Sequence, residues 1–153
     1  MDNKKNSGYR KKSAARLAAV QVLYTQSMMK ISEHEALHTF QAHYVGKNLD
    51  EDLAIQPDES FLHALVSGVN TKSQILLDLI SPHLNETWKM ERIDPILLNI
   101  IKCGTFELLS FPDTDTPIII SEYLDVTHAF FDKKDVGFVN GILNKIASVV
   151  RTI

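Results

Sequence analysis

Three groups of residues have the types and spacing that chemistry would need. The first is His34-Glu35-Ala36-Leu37-His38. Two histidines one helical turn apart, with a glutamate beside the first, are the arrangement that binds zinc and supplies a general base. Such a site needs a third ligand, and Glu59 is the downstream candidate. The extended pattern fails, because Gln41 stands where a glycine belongs and Tyr44 where a third histidine belongs. Glu35 also has a simpler role. Ser32-Glu33-His34-Glu35 is a capping box, with Ser32 as N-cap and Glu35 as its N3 residue.

The second group is basic. Residues 1–16 carry Lys4, Lys5, Arg10, Lys11, Lys12 and Arg16 against Asp2 alone, while the remaining residues carry 10 basic and 18 acidic groups. A basic arm on an acidic body points to a polyanionic partner met by the arm. A solvated tail is the plainer reading of the same charges. The third group is Phe138-Val139-Asn140-Gly141. Asn and Gly are poor helix-interior residues. Their place early in the last helix predicts a close helix crossing at Gly141 and a specific hydrogen bond from Asn140. Phe138, near an exposed helix start, could stack on a base. Pattern alone favours Phe138 as core.

Other chemistry is missing. The chain has no phosphate-cradling G-x-x-x-x-G-K-[ST] or G-x-G-x-x-G and no G-x-S-x-G nucleophile elbow. Cys103 lies in the most apolar segment, where an inert buried thiol is expected. A single cysteine excludes an internal disulfide framework and fits a reducing cytoplasm. His43, His63, His83 and His128 are scattered, and Trp88 in a polar connector reads as a lid over the core. No cofactor, metal or catalytic residue is assigned.

The elements that must position these residues are helical. Residues 1–9 lack an apolar period and read as disordered. From about Ser13, Leu17, Val20, Tyr24 and Met28 fall on one helix face beside four alanines. A second helix carries Ala36, Leu37, Phe40 and Tyr44 and stops at Gly46; residues 47–58 read as a loop. Asp58 caps a third helix ending near Gly68, and Thr71-Lys72-Ser73-Gln74 is a capping box for a fourth, which ends near Pro82. Asp94-Pro95 opens a helix through ILLNIIKCGTFELLSF, apolar on most sides and therefore central. Thr116-Pro117 opens the next, with Ile118–Ile120, Tyr123, Leu124, Val126 and Phe130. Asp135 is read as the cap of the last, whose apolar side holds Phe138, Val139, Ile142, Leu143, Ile146 and Val149.

The fold class is therefore all-α: about seven helices in two small bundles around a central apolar helix. A flexible basic arm, 1–12, precedes a single domain, 13–153, with an N-terminal lobe at 13–84 and a C-terminal lobe at 94–153. The 153 residues suit one such domain, with 44% apolar and 23% charged residues typical of soluble globular chains. No apolar run approaches a membrane span, and the polar N-terminus carries no secretory signal.

Three blocks in order, SAARLAAVQVLY, RIDPILLNIIKCGTFELL and ISEYLDVTHAFFDKKDVGFVNGILNKIA, resemble the bacterial NusB family of transcription antitermination factors. The resemblance runs from Ser13 to Arg151 and is weakest over roughly 30–58, where the histidine motif lies. It implies an all-α fold of two three-helix lobes plus a connecting helix. It implies binding of boxA, a short single-stranded element in ribosomal RNA leader transcripts. The partners it implies are the ribosomal protein NusE and the RNA polymerase antitermination complex, acting in the cytoplasm to read through terminators. By this likeness Arg10, Lys11, Lys12, Arg16, Phe138 and Asn140 contact RNA, and Tyr24 and Leu97 face NusE. Self-association as a homodimer would hide the RNA face. The family often has Asn-Glu where Ser121-Glu122 stand and Asp-Lys or Asp-Arg where Asn144-Lys145 stand. Three other classes predict different outcomes. A protein-interaction module would survive loss of the arm, a zinc hydrolase would contain zinc, and a fused RNA methyltransferase would need a catalytic domain for which 153 residues leave no room.

Overall fold

The computed structural model describes residues 3–45, 55–84 and 90–151. Among them are seven α-helices and no strand: α1 (Asn3–Met29), α2 (Glu33–Val45), α3 (Glu59–Thr71), α4 (Ser73–Ile80), α5 (Pro95–Ser110), α6 (Thr116–Phe130) and α7 (Lys133–Val150). Two single 3-10 turns, Ser81–His83 and Met90–Arg92, lie between α4 and α5. The all-α expectation holds. The stop at Gly46, most of the 47–58 loop and the Trp88 lid fall outside the described residues.

The chain divides into two compact units, Met1–Ser67 and Gly68–Ile153. In the first, α1 packs on α2. Ala15, Ala18, Ala19, Val20, Val22 and Leu23 of α1 are buried, and their small side chains allow close approach. The expected face was drawn too far round: Met28 is 56% exposed, and Leu17 and Tyr24 are half-buried. α1 also begins at Asn3, about ten residues earlier than expected. Once the alanine-rich turns have nucleated a helix, each further residue adds one backbone bond at little cost. At the other end Ile31 N–H donates to Gln26 O at 3.2 Å, a six-residue closing bond with Lys30 in the left-handed region at φ 54°.

In the second unit α5 is central, with α4, α6 and α7 packed on it. Leu97, Ile100, Ile101, Cys103, Gly104 and Leu108 are buried, as the near-continuous apolar run requires. Two glycines allow the helices to meet. A Cβ on Gly68 would stand 2.0 Å from the Phe106 ring, and one on Gly104 would meet both Leu143 methyls at 3.0 Å. Gly68 therefore serves packing rather than helix termination, and α3 runs on to Thr71. With Thr71 still helical, Lys72 takes the N-cap position of α4 without a side-chain cap bond, so the expected capping box does not form.

The other caps hold the helix starts by side-chain oxygens. Asp58 Oδ1 accepts from Phe61 N–H at 3.0 Å, and Asp94 Oδ1 from Ile96 N–H at 2.8 Å. Such caps are worth roughly 1 kcal/mol each. On α7 the cap is Asp132, not Asp135: its side chain accepts from Lys134 N–H and Asp135 N–H. Asp135 stands in the first turn, its carboxyl pushed upward by desolvation, then by the hydrogen bond and charge of Asp132. The C-terminal end of α5 is closed by Arg151. Its guanidinium donates to the carbonyls of Leu108 (2.8 Å), Thr114 (2.6 Å), Phe111 (2.7 Å) and Glu107 (3.4 Å). Val149, Ile118 and Ile75 are exposed and lie off their helices' buried faces.

Candidate nucleic-acid interface

The basic residues of α1 are held by the start of α3, within the first unit. Asp58 N–H donates to Lys11 O at 3.0 Å. The Phe61 ring lies beneath two cations one turn apart, with Lys12 Nζ at 5.7 Å and the Arg16 guanidinium at 5.1 Å from its centroid. Each such contact contributes about 0.5–2 kcal/mol, more as it is desolvated. The consequence separates the four expected RNA contacts. Arg10, Lys11 and Lys12 are exposed, whereas Arg16 is 4% exposed. Arg16 is a buried cation anchoring α1 to Phe61, and a buried guanidinium presents no open face to a phosphate. Tyr9, 53% exposed, adds an aromatic beside the cations that charge counting overlooked.

On α7, Phe138 is half-buried, between the core and stacking readings, and Asn140 is exposed. The expected hydrogen bond at Asn140 exists with the roles reversed. Asn144 Nδ2 donates to Asn140 Oδ1 at 3.1 Å and to Asn140 O at 2.8 Å. The expected helix crossing at Gly141 is absent: Gly137 and Gly141 are exposed, and no described atom comes within 4 Å of a Cβ built on either. The crossings lie at Gly68 and Gly104 instead. Gly137, Asn140, Gly141 and Asn144 fall at i, i+3, i+4 and i+7, a single bare stripe on α7. Beside it Ser121, Asn140 and Asn144 line a groove of about 280 Å³ with Thr116, Pro117, Ile120 and Leu124 of α6; the Thr116 hydroxyl already accepts from Arg151 at 3.3 Å. The groove was missed from the sequence. Its only signal was that Ser121 and Asn144 both depart from the family's usual residues.

The two expected partner contacts differ in exposure. Tyr24 is half-buried on α1, but Leu97 is 1% exposed and belongs to the core of the second unit. Leu97 is corrected from a surface contact to a packing residue. Leu97, three residues after the Asp94 cap, faces inward because α5 is buried on most sides, while Asp94 and Pro95 stay exposed.

The histidine motif lies on α2 as expected. His34 and His38 are exposed with stacked rings 6.5 Å apart, and Glu35 N–H donates to Ser32 Oγ at 3.0 Å. No group of three His, Cys, Asp or Glu side chains among the described residues gathers to hold a metal. Two imidazoles alone do not make a zinc site. Cys103 is 0% exposed, and burial, then the nearby Glu107 charge, pushes its thiol strongly upward. Glu107, also fully buried, accepts a 2.6 Å bond from the Tyr123 hydroxyl. These groups hold α5 to α6 in a closed interior and reach no groove.

The comparisons with known proteins agree in direction. A family model described as the NusB family matches residues 13–148. A transcription antitermination protein NusB from Rhizobium rhizogenes is 37% identical over 140 residues, covering 92% of this chain and 88% of the relative. A namesake from Sphingopyxis alaskensis is 36% identical over 146 residues, covering 95% and 98%. Among solved structures, T. maritima NusB matches with a TM-score of 0.72 at 24% identity, covering 90% of both chains. A crystal structure of antitermination factors NusB and NusE in complex with dsRNA matches with a TM-score of 0.76 at 21% identity, covering 92% of this chain and 98% of that one. At these identities the structures speak for the fold.

Proposed function

The chain belongs to the NusB family, and from that premise we propose that it is an RNA-binding transcription antitermination factor. In this reading it binds boxA-type single-stranded RNA in ribosomal RNA leader transcripts together with the ribosomal protein NusE. The pair then helps RNA polymerase read through terminators. The observation that carries the reading is the 37% identity, over 92% of the chain, to a transcription antitermination protein. It acts in the cytoplasm by binding and performs no catalysis; no described helix is long and apolar enough to cross a membrane.

The geometry supports a division of labour. Arg10, Lys11 and Lys12 supply exposed positive charge for phosphates, which gives affinity without sequence information. Phe138 and Asn140 supply a ring face and an amide, the means by which unpaired bases are read. Arg16 acts through Phe61 by fixing the helix that bears the cations. Tyr24 stays the candidate on the NusE-facing surface, and Leu97, buried in the second unit, is not part of one.

The test is fluorescence anisotropy of a labelled boxA-type RNA beside a scrambled one, at several salt concentrations, with and without NusE. The expected result is preference for boxA that strengthens with NusE. Replacing Arg10, Lys11 and Lys12 by Ala should lower the log–log salt slope by about 2, at roughly 0.7 per phosphate of single-stranded RNA. Equal, purely salt-driven binding to both RNAs refutes the reading and leaves a protein-interaction module.

A further inference from the structure

We propose that the groove between α6 and α7 holds one unstacked, uncharged RNA base and reads its hydrogen-bonding edge. This rests on the RNA-binding reading above and deepens it. The groove lies wholly within the second unit. At about 280 Å³ it lies just below the range of drug-sized ligand pockets, which leaves room for one planar ring rather than a larger cofactor. Pro117, Ile120 and Leu124 give it apolar walls against which a ring can lie.

Its polar groups are set in a fixed order. Asn144 Nδ2 is committed to Asn140 Oδ1 and Asn140 O. That bond orients both amides, leaving Asn140 Nδ2 as a donor and Asn144 Oδ1 as an acceptor. The Ser121 hydroxyl can serve as either. A donor beside an acceptor on a planar amide pair is the complement of a base edge, and single-stranded RNA is recognised by such contacts. No ionisable side chain lines the groove, so nothing there repels a neighbouring phosphate or selects a charged ligand.

The bare stripe on α7 points the same way. Gly137 and Gly141 sit in a helix that would gain from alanine, and no described neighbour requires their small size. Backbone left uncovered beside a groove lets a flat ligand approach the helix closely. Asn140 belongs both to this stripe and to the groove.

The experiment measures the affinity of boxA-type RNA, intact and as a set with one abasic nucleotide each, for the wild type, Asn144→Ala and Ser121→Leu. Asn144→Ala removes the donor that orients Asn140 together with the Oδ1 acceptor, and it adds no charge that would itself change the salt slope. Ser121→Leu fills the groove from an exposed position, so it tests occupancy without entering the core. The expected result is one abasic position that costs the wild type about tenfold. Each variant should lose a similar factor on intact RNA, lose nothing more on that abasic RNA, and keep the wild-type salt slope. Variants that bind intact RNA like the wild type overturn the groove assignment and leave the RNA reading standing. So does a loss that appears only with NusE present, or one with an altered salt slope. A wild type that binds no RNA overturns both.

Discussion

Gly141→Ala separates two accounts of the α7 surface. Gly141 is helical and exposed, and a Cβ built there meets no described atom within 4 Å. Nothing opposes the gain in helix propensity, so the free protein should be stabilised by about 1 kcal/mol. For a chain of this size that is a rise in Tm of roughly 2–4 °C. Gly68→Ala is the opposing control, since its Cβ would enter the Phe106 ring at 2.0 Å. It should cost about 1–3 kcal/mol by overpacking. Both are read by urea and thermal unfolding, followed by RNA anisotropy on Gly141→Ala. The expected pattern is a protein that is more stable and binds RNA less well. A destabilised Gly141→Ala would show that something does press on the stripe. A stabilised variant with undiminished RNA affinity would show that the bare backbone has no part in recognition.

Other parts of the structure give further outcomes. Arg151→Met strips the α5 end of a guanidinium that bonds four carbonyls, so a loss of about 2–4 kcal/mol is expected in urea unfolding; a loss below about 0.5 kcal/mol would mean that water replaces it without cost. Lys30→Gly relieves a left-handed side chain and should stabilise by about 1 kcal/mol, whereas a loss would mean that the Lys30 side chain contributes more than its strain. Cys103 governs alkaline behaviour. Its folded pKa lies above the ordinary 9.0, so the folded chain keeps a proton that the unfolded chain releases. Its contribution is whole below pH 9 and lost as pH rises beyond it, at about 1.4 kcal/mol per pH unit. Lys102, shifted down by desolvation, acts in the opposite sense, so the reading is the difference between wild type and Cys103→Ala, and parallel curves from pH 9 to 10 would contradict the burial argument.

Helix identity was legible because apolar spacing and capping residues agree locally. Asp58, Asp94 and Ser32 cap as their positions predict. What could not be read depends on tertiary contact. Asp132 and Asp135 are both plausible caps in a string, and only the backbone entry angle favours the first. Gly68 and Gly141 look alike in sequence, yet one faces a ring and the other open space. Lys30 ends α1 where pattern reasoning would look for glycine, because the closing bond to Gln26 outweighs a strained residue. At the candidate site, the cluster of cations was legible as charge, but the burial of Arg16 was not, since Phe61 lies 45 residues away. The groove needed two helices to be placed side by side before Ser121 and Asn144 became neighbours. The lobe limits 13–84 and 94–153 stay a proposal, which limited proteolysis followed by refolding of the fragments would test.

The interior position of Cys103 gives the molecule a built-in counter of its own rare openings. It is the chain's single thiol, fully enclosed in α5, and held in its unreactive protonated form. A dilute alkylating reagent can reach it only when the second unit comes apart, so the labelling rate in native buffer records how often that happens. The same silence leaves the surface free for introduced cysteines. A dye attached at Lys12 or Gly141 would report from that position alone, with no background from the native thiol.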